Sequence, residues 1–151
     1  MIVTFEILPH YALNDTPPPS YATDGAAGID LRAAIADSSG TYCLPPGGRM
    51  IVPTGLKVRI PPGYEGQLRP RSSLAINDGV TVLNAPGTID CDYRGEIGVI
   101  LINLGAHRKF IYHGDRIAQL VIAPVMQANL SFGPVVSDTK RGTGGFGSTG
   151  V

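Results

Sequence analysis

The chain has 151 residues, with 12 Lys plus Arg, 12 Asp plus Glu and a formal net charge of +0. That length suits one compact domain with a sizeable core, and balanced charge without a clustered basic face excludes polymeric nucleic acid as the main partner. Cys43 and Cys91 form neither a C-x-x-C pair nor a disulfide framework, and His10, His107 and His113 lack zinc-ligand spacing and read as surface or loop residues. Glu6 interrupts the N-terminal apolar run, so no signal peptide is expected, and no apolar run is long enough to span a bilayer.

The elements are short, because 20 Gly and 13 Pro punctuate the whole length. Ile2 to Leu8 reads as a first strand. Ala27 to Ala33 alternates around Asp30, a carboxylate unusual in a strand, which binds a metal or pairs with an arginine. Leu56, Val58 and Ile60 alternate with Lys57 and Arg59, the pattern of a half-buried strand. Ser72 to Asp78 is the one helix, with serines suited to capping at its start and Gly79 as its stop. Val80 to Leu83, Ile97 to Ile102 and Leu120 to Val125 are continuously apolar strands, buried or facing a subunit neighbour, and Arg108 to Tyr112 is another strand. Many short strands with turns between them predict an all-β sandwich or barrel.

Three segments carry candidate chemistry. Pro70-Arg71-Ser72-Ser73 offers a guanidinium, two hydroxyls and helix N–H groups to an anion. In Asn84 to Glu96, Thr88 to Tyr93 reads as a hairpin arm, with Asp90 and Asp92 alternating onto one face. Either is a general base or a turn-capping carboxylate. The tail from Arg141 to Val151 has five Gly in eleven residues. It is either a disordered end or a segment that orders over a ligand. Its Gly142 to Gly147 spacing approaches a P-loop, but Ser148 stands where the lysine must be.

Taken in order, Ala27-Gly-Ile-Asp-Leu-Arg-Ala33, Pro70-Arg-Ser-Ser-Leu-Ala75, Gly87-Thr-Ile-Asp-Cys-Asp-Tyr-Arg-Gly-Glu96, Arg116-Ile-Ala-Gln-Leu120 and Arg141-Gly-Thr-Gly-Gly-Phe-Gly-Ser148 resemble the five motifs of the trimeric dUTP diphosphatases, the dUTPases. The resemblance implies a jelly-roll-like β-barrel over 1–136 and a flexible lid over 137–151. It implies a cytoplasmic homotrimer with active sites shared between subunits and no nucleic-acid or membrane partner. The implied reaction is hydrolysis of dUTP to dUMP and pyrophosphate with Mg²⁺, which limits uracil in DNA and supplies dUMP for thymidylate. Asp90 matches the family's base, and Asp30 the carboxylate that holds Mg²⁺ through water. Arg71, Ser72, Ser73 and Gln119 match phosphate contacts. Asn84, with backbone groups around Thr88 and Ile89, matches the uracil reader, and Tyr93 the ring beneath the deoxyribose. Phe146 matches the aromatic that stacks on uracil, while Arg141, Gly147, Ser148 and Thr149 match the closure over the γ-phosphate. A dCTP deaminase on the same barrel and a non-catalytic binding module are the alternatives, disfavoured by Asp90 and the tail.

Overall fold

The computed structural model describes residues 1–11, 16–37, 39–135 and 139–145. Ten strands and one helix follow in the order β1 (Thr4–Ile7), β2 (Ile29–Arg32), β3 (Thr41–Leu44), β4 (Arg49–Arg59), β5 (Tyr64–Arg69), α1 (Ser72–Asp78), β6 (Val80–Val82), β7 (Gly87–Ile89), β8 (Glu96–Asn103), β9 (Lys109–Tyr112) and β10 (Arg116–Pro124). Two antiparallel sheets, ordered β1-β4-β8-β6 and β2-β10-β5-β7, carry most of the chain, with β3 and β9 forming a small third sheet. Successive strands alternate between the two large sheets, so the chain repeatedly crosses the core in a jelly-roll-like path.

Period-two patterning places one face of each large sheet inside. Val52, Leu56 and Val58 of β4 meet Ile97, Val99 and Leu101 of β8, opposed by Ile29, Leu31, Leu68, Ile89 and Leu120 from the second sheet. Each fully buried Leu or Ile contributes about 1.5–3 kcal/mol of transfer free energy. Two buried polar side chains are satisfied: Thr54 donates to the Ile97 carbonyl at 2.7 Å, and Asn103 donates to the Leu44 and His107 carbonyls at 2.9 and 2.8 Å. Gly66 occupies an inward position of β5, where a Cβ would come 2.8 Å from Leu120 Cδ1. Leu120, Ile60 and Ile89 fill the space that a side chain there would take.

The expected helix has the expected bounds and ends at Gly79, with φ of 68°. Its start differs: Arg71 is the N-cap, and no side chain caps the helix. Ser72 and Ser73 lie in the first turn, exposed. Of the continuously apolar strands, β6 and β8 alternate in burial, while β10 is half-buried from Val121 to Ala123, so their second faces stay partly open. On the outer face of the first sheet, Ile51 is 66% exposed and pairs with half-buried Ile100.

Candidate active site

The second sheet sets out the polar residues as a grid on its outer face. Gln119 of β10 lies opposite Asp30 of β2 on one side and Arg69 of β5 on the other. Directly opposed residues point the same way, so all three leave the sheet outward. The chain then runs from β5 through Pro70 to Arg71 and α1. Gln119 Nε2 donates to the Pro70 carbonyl at 3.3 Å, tying β10 to that junction. Four of the expected residues, Asp30, Arg71, Ser72 and Gln119, thus gather at one end of the sheet, and Ser73 follows in α1.

Asp30 is the counter-charge of this end. Its Oδ1 lies 3.2 Å from Arg71 Nη1 and its Oδ2 accepts a hydrogen bond from Arg116 Nη1 at 3.2 Å. Burial lowers the pKa of the Arg71 guanidinium, Asp30 opposes that effect, and the nearby Arg116 and Arg32 charges add to it. The Asp30 contact leaves Arg71 Nη1 shielded from solvent without a hydrogen-bond partner. A buried guanidinium donor of this kind suits an anionic oxygen. Arg71 and Ser73 open into a cavity of about 240 Å³, lined also by Lys109, Asp115 and Arg116. The Arg116-to-Leu120 motif does not mark a role for Arg116. Its ion pair with Asp30 reaches diagonally across the irregular β2–β10 register, where Arg116 itself lies opposite Arg32.

The base candidate lies elsewhere. Strand β7 ends at Ile89, and a turn follows in which Tyr93 N donates to the Asp90 carbonyl at 3.1 Å. That turn ends the expected hairpin arm at Ile89 instead of Tyr93, so strand alternation does not set the directions of Asp90 and Asp92, although both line one cavity. Asp90 is exposed and lines a cavity of about 450 Å³ with Tyr64, Glu65, Asp92 and Gln127. It stands level with Glu65, four residues along β5 from the Gln119–Arg69 row and two strands across from β10. At about 3.3 Å per residue and about 4.8 Å per strand, Asp90 and Gln119 are roughly 16 Å apart.

Near Asp90, Thr88 points outward while the Ile89 side chain is 8% exposed and belongs to the core. Ile89 therefore offers a ligand its backbone alone. Strand β7 is the edge of its sheet, so backbone groups on its free side have no strand partner among the described residues. Asn84 is exposed in the turn before β7, and its amide covers Gly87. Tyr93 is 42% exposed and donates its hydroxyl to the Glu96 carbonyl at 2.8 Å. The ring lies so close over Gly95 that a Cβ there would overlap the hydroxyl and come 2.6 Å from Cζ. Glu96 in turn accepts the Gly55 N–H at 2.7 Å and pairs with His10 at 2.9 Å. These supports escaped the sequence reading, because nothing in the motif marks which residue holds the ring.

Arg141 donates to the Gly144 carbonyl at 2.9 Å inside its own turn. Phe146, Gly147, Ser148 and Thr149 lie outside the described residues. His113 is structural: its Nδ1 accepts the Ile35 N–H at 3.1 Å.

Among the described residues no cluster of three or more His, Cys, Asp or Glu forms a metal cage. A lone carboxylate among arginines nevertheless fits Mg²⁺ that keeps its waters and takes its direct ligands from a phosphate chain. No helix among the described residues is long and apolar enough to cross a membrane.

The chain is similar to known proteins over most of its length. The dUTPase family model matches residues 14–150. The deoxyuridine 5'-triphosphate nucleotidohydrolase of Methylocella silvestris is 62% identical over 144 residues, covering 95% of this chain and 88% of that protein. The enzyme of the same name from Beijerinckia indica is 61% identical over 132 residues, covering 87% and 82%. Among solved structures, the Staphylococcus bacteriophage 80alpha dUTPase G164S mutant with dUpNHpp superimposes with a TM-score of 0.83 at 25% identity, covering 99% of both chains. A matched family model over most of the chain, with relatives at this identity, assigns the protein: it belongs to the dUTPase family.

Proposed function

We propose that the protein hydrolyses dUTP to dUMP and pyrophosphate, in active sites that three copies of the chain build together. The observation that carries the shared site is the separation of roughly 16 Å between Asp90 and Gln119 on one sheet, from strand spacing. A water attacking a phosphorus needs its base and its phosphate contacts within a few ångströms of one another. One chain keeps them apart, so the base end of one chain must meet the arginine end of another. Uncovered apolar surface supports such packing. Ile51 is 66% exposed on the first sheet, and Met126, Leu130, Phe132 and Val135 of the arm beyond β10 are 94, 81, 96 and 96% exposed.

The proposed reaction is in-line attack on the α-phosphorus. The water oxygen forms a bond to phosphorus, the bond to the bridging oxygen breaks, and pyrophosphate leaves with that oxygen. Asp90 polarises the water and receives its proton. Arg71 brings a guanidinium that is ion-paired with Asp30 but has no hydrogen-bond partner at Nη1, and Ser72, Ser73 and Gln119 offer further donors to the phosphate chain. Asp30 would hold hydrated Mg²⁺, which supplies charge neutralisation along the triphosphate. Asn84 and the free edge of β7 read the uracil. Polar groups left unpaired against cytosine disfavour it strongly. Tyr93, held over Gly95 by the Glu96 carbonyl, closes the space of a 2′-hydroxyl. Residues 137–151 act as the lid, with Phe146 stacking on the base and Arg141, Gly147, Ser148 and Thr149 meeting the γ-phosphate. The setting is cytoplasmic, where the reaction keeps uracil out of DNA and supplies dUMP for thymidylate synthesis.

Subunit mixing tests the shared site. Asp90→Asn and Arg71→Ala each abolish turnover alone. Co-expressed with different tags and purified as mixed trimers, they regain activity, because some sites combine an intact Asp90 with an intact Arg71. Mixed trimers as inactive as either parent would place base and phosphate contacts on one chain.

A further inference from the structure

Gln119 is the side chain at the centre of the arginine end, and its amide has two neighbours that fix it. One is the Pro70 carbonyl, which accepts from Nε2 at 3.3 Å. The other is Gly28, immediately before β2, which has no side chain to occupy the space the amide fills. A Cβ on Gly28 would stand 2.6 Å from Gln119 Oε1, 3.0 Å from its Cβ and 3.5 Å from its Cδ. The acceptor at Pro70 requires the nitrogen on that side, so the oxygen lies over Gly28. We propose that Gly28 is a positioning residue for Gln119, keeping a slot between β2 and the β5–α1 junction into which the amide fits in one orientation. The proposal rests on the phosphate-contact reading of Gln119 given above.

Backbone conformation does not explain a glycine here. Gly28 is absent from the positive-φ glycines among the described residues, so alanine meets no strain in its φ. What alanine meets first is Oε1, the far end of a flexible side chain, and then, at 3.0 Å, the Gln119 Cβ, which must give by a few tenths of an ångström. The Gln119 amide swings aside at small cost to the fold, and in doing so leaves the Pro70 carbonyl and its place beside Asp30 and Arg71. Stability and function therefore separate at this position. A methyl group leaves the fold intact and displaces a phosphate contact, and displacement by about 1 Å is enough to cost up to about 100-fold in rate.

The test is a double-mutant cycle on the full-length protein, read by pyrophosphate release from dUTP and by the side-chain amide NMR signals of Gln119, assigned by their loss in Gln119→Ala. Gly28→Ala is expected to melt close to the parent and to lower kcat/KM about 10- to 100-fold. In the Gln119→Ala background the same substitution changes kcat/KM by less than about twofold, because the amide it displaces is gone and only the Cβ remains. The Gln119 amide signals shift in Gly28→Ala. Equal losses in both backgrounds, unshifted amide signals, or failure of Gly28→Ala to fold would each overturn the proposal. A parent protein that releases no pyrophosphate from dUTP would refute the proposed function instead. The amide signals would then decide the role of Gly28 by themselves.

Discussion

Replacing Asp30 by Asn removes the charge that holds the arginine end together while keeping the shape of the side chain. The carboxylate faces Arg71 and Arg116, each at 3.2 Å, and Arg32 adds a third positive charge to the surroundings of Arg71. Two unit charges about 4 Å apart interact by about 4 kcal/mol at an effective dielectric of about 20. Solvent reduces that here. The Arg116 side chain is 47% exposed, so its pair contributes at most about 1 kcal/mol. Arg71 is 17% and Asp30 21% exposed, between a surface pair and a buried one, which gives roughly 1–2 kcal/mol. A total near 2 kcal/mol lowers the melting temperature of a chain this long by about 4–8 °C. Thermal unfolding followed by circular dichroism at fixed protein concentration measures it, in low salt and in 1 M NaCl. The Debye length at 1 M is about 3 Å, so repulsion among the three arginine charges is partly screened and the deficit shrinks. A melting temperature within about 1 °C of the parent, or a deficit indifferent to salt, would refute the reasoning.

Other outcomes follow from the same geometry. Asp90→Asn abolishes pyrophosphate release by a factor of about 100 or more, while a titration shows that a non-hydrolysable dUTP analogue still binds. Gly95→Ala pushes the Tyr93 ring from its seat, so the preference for dUTP over UTP falls, as competition kinetics would register; an unchanged ratio would free Tyr93 from the sugar role. Asn103→Ala strands the Leu44 and His107 carbonyls and the Gly105 N–H. At about 1 kcal/mol per bond it costs about 3 kcal/mol in urea unfolding. Deleting 142–151 leaves the core strands folded and the oligomer intact by sedimentation, but reduces turnover severely; a monomeric or unfolded product would contradict the lid.

Much of this was legible in the residues, and the exceptions have physical causes. The helix was bounded correctly because Gly79 supplies the left-handed conformation that ends it. Strand β5 escaped because its inward positions are Gly66 and Leu68, and a glycine that makes room for Leu120 scores as a breaker, not as core. The first half of β4 was hidden by Pro53 and Gly55, which sit at an irregularity in the β4–β8 pairing. The five motifs marked the candidate residues apart from Asn84 and Thr149, but not their arrangement. That Asp30 is shared by two arginines depends on how the fold brings Arg71 and Arg116 together, and that the chain turns at Asp90 instead of continuing as a strand depends on a backbone hydrogen bond. Local alternation encodes neither.

The central claim is tested most directly by pyrophosphate release from dUTP, dCTP, dTTP and UTP, each with Mg²⁺ and with EDTA. Strong, metal-stimulated release from dUTP alone is the result expected of Asp90, Asn84 and Tyr93 in the roles proposed. Equal release from all four nucleotides, or none from dUTP, would contradict it.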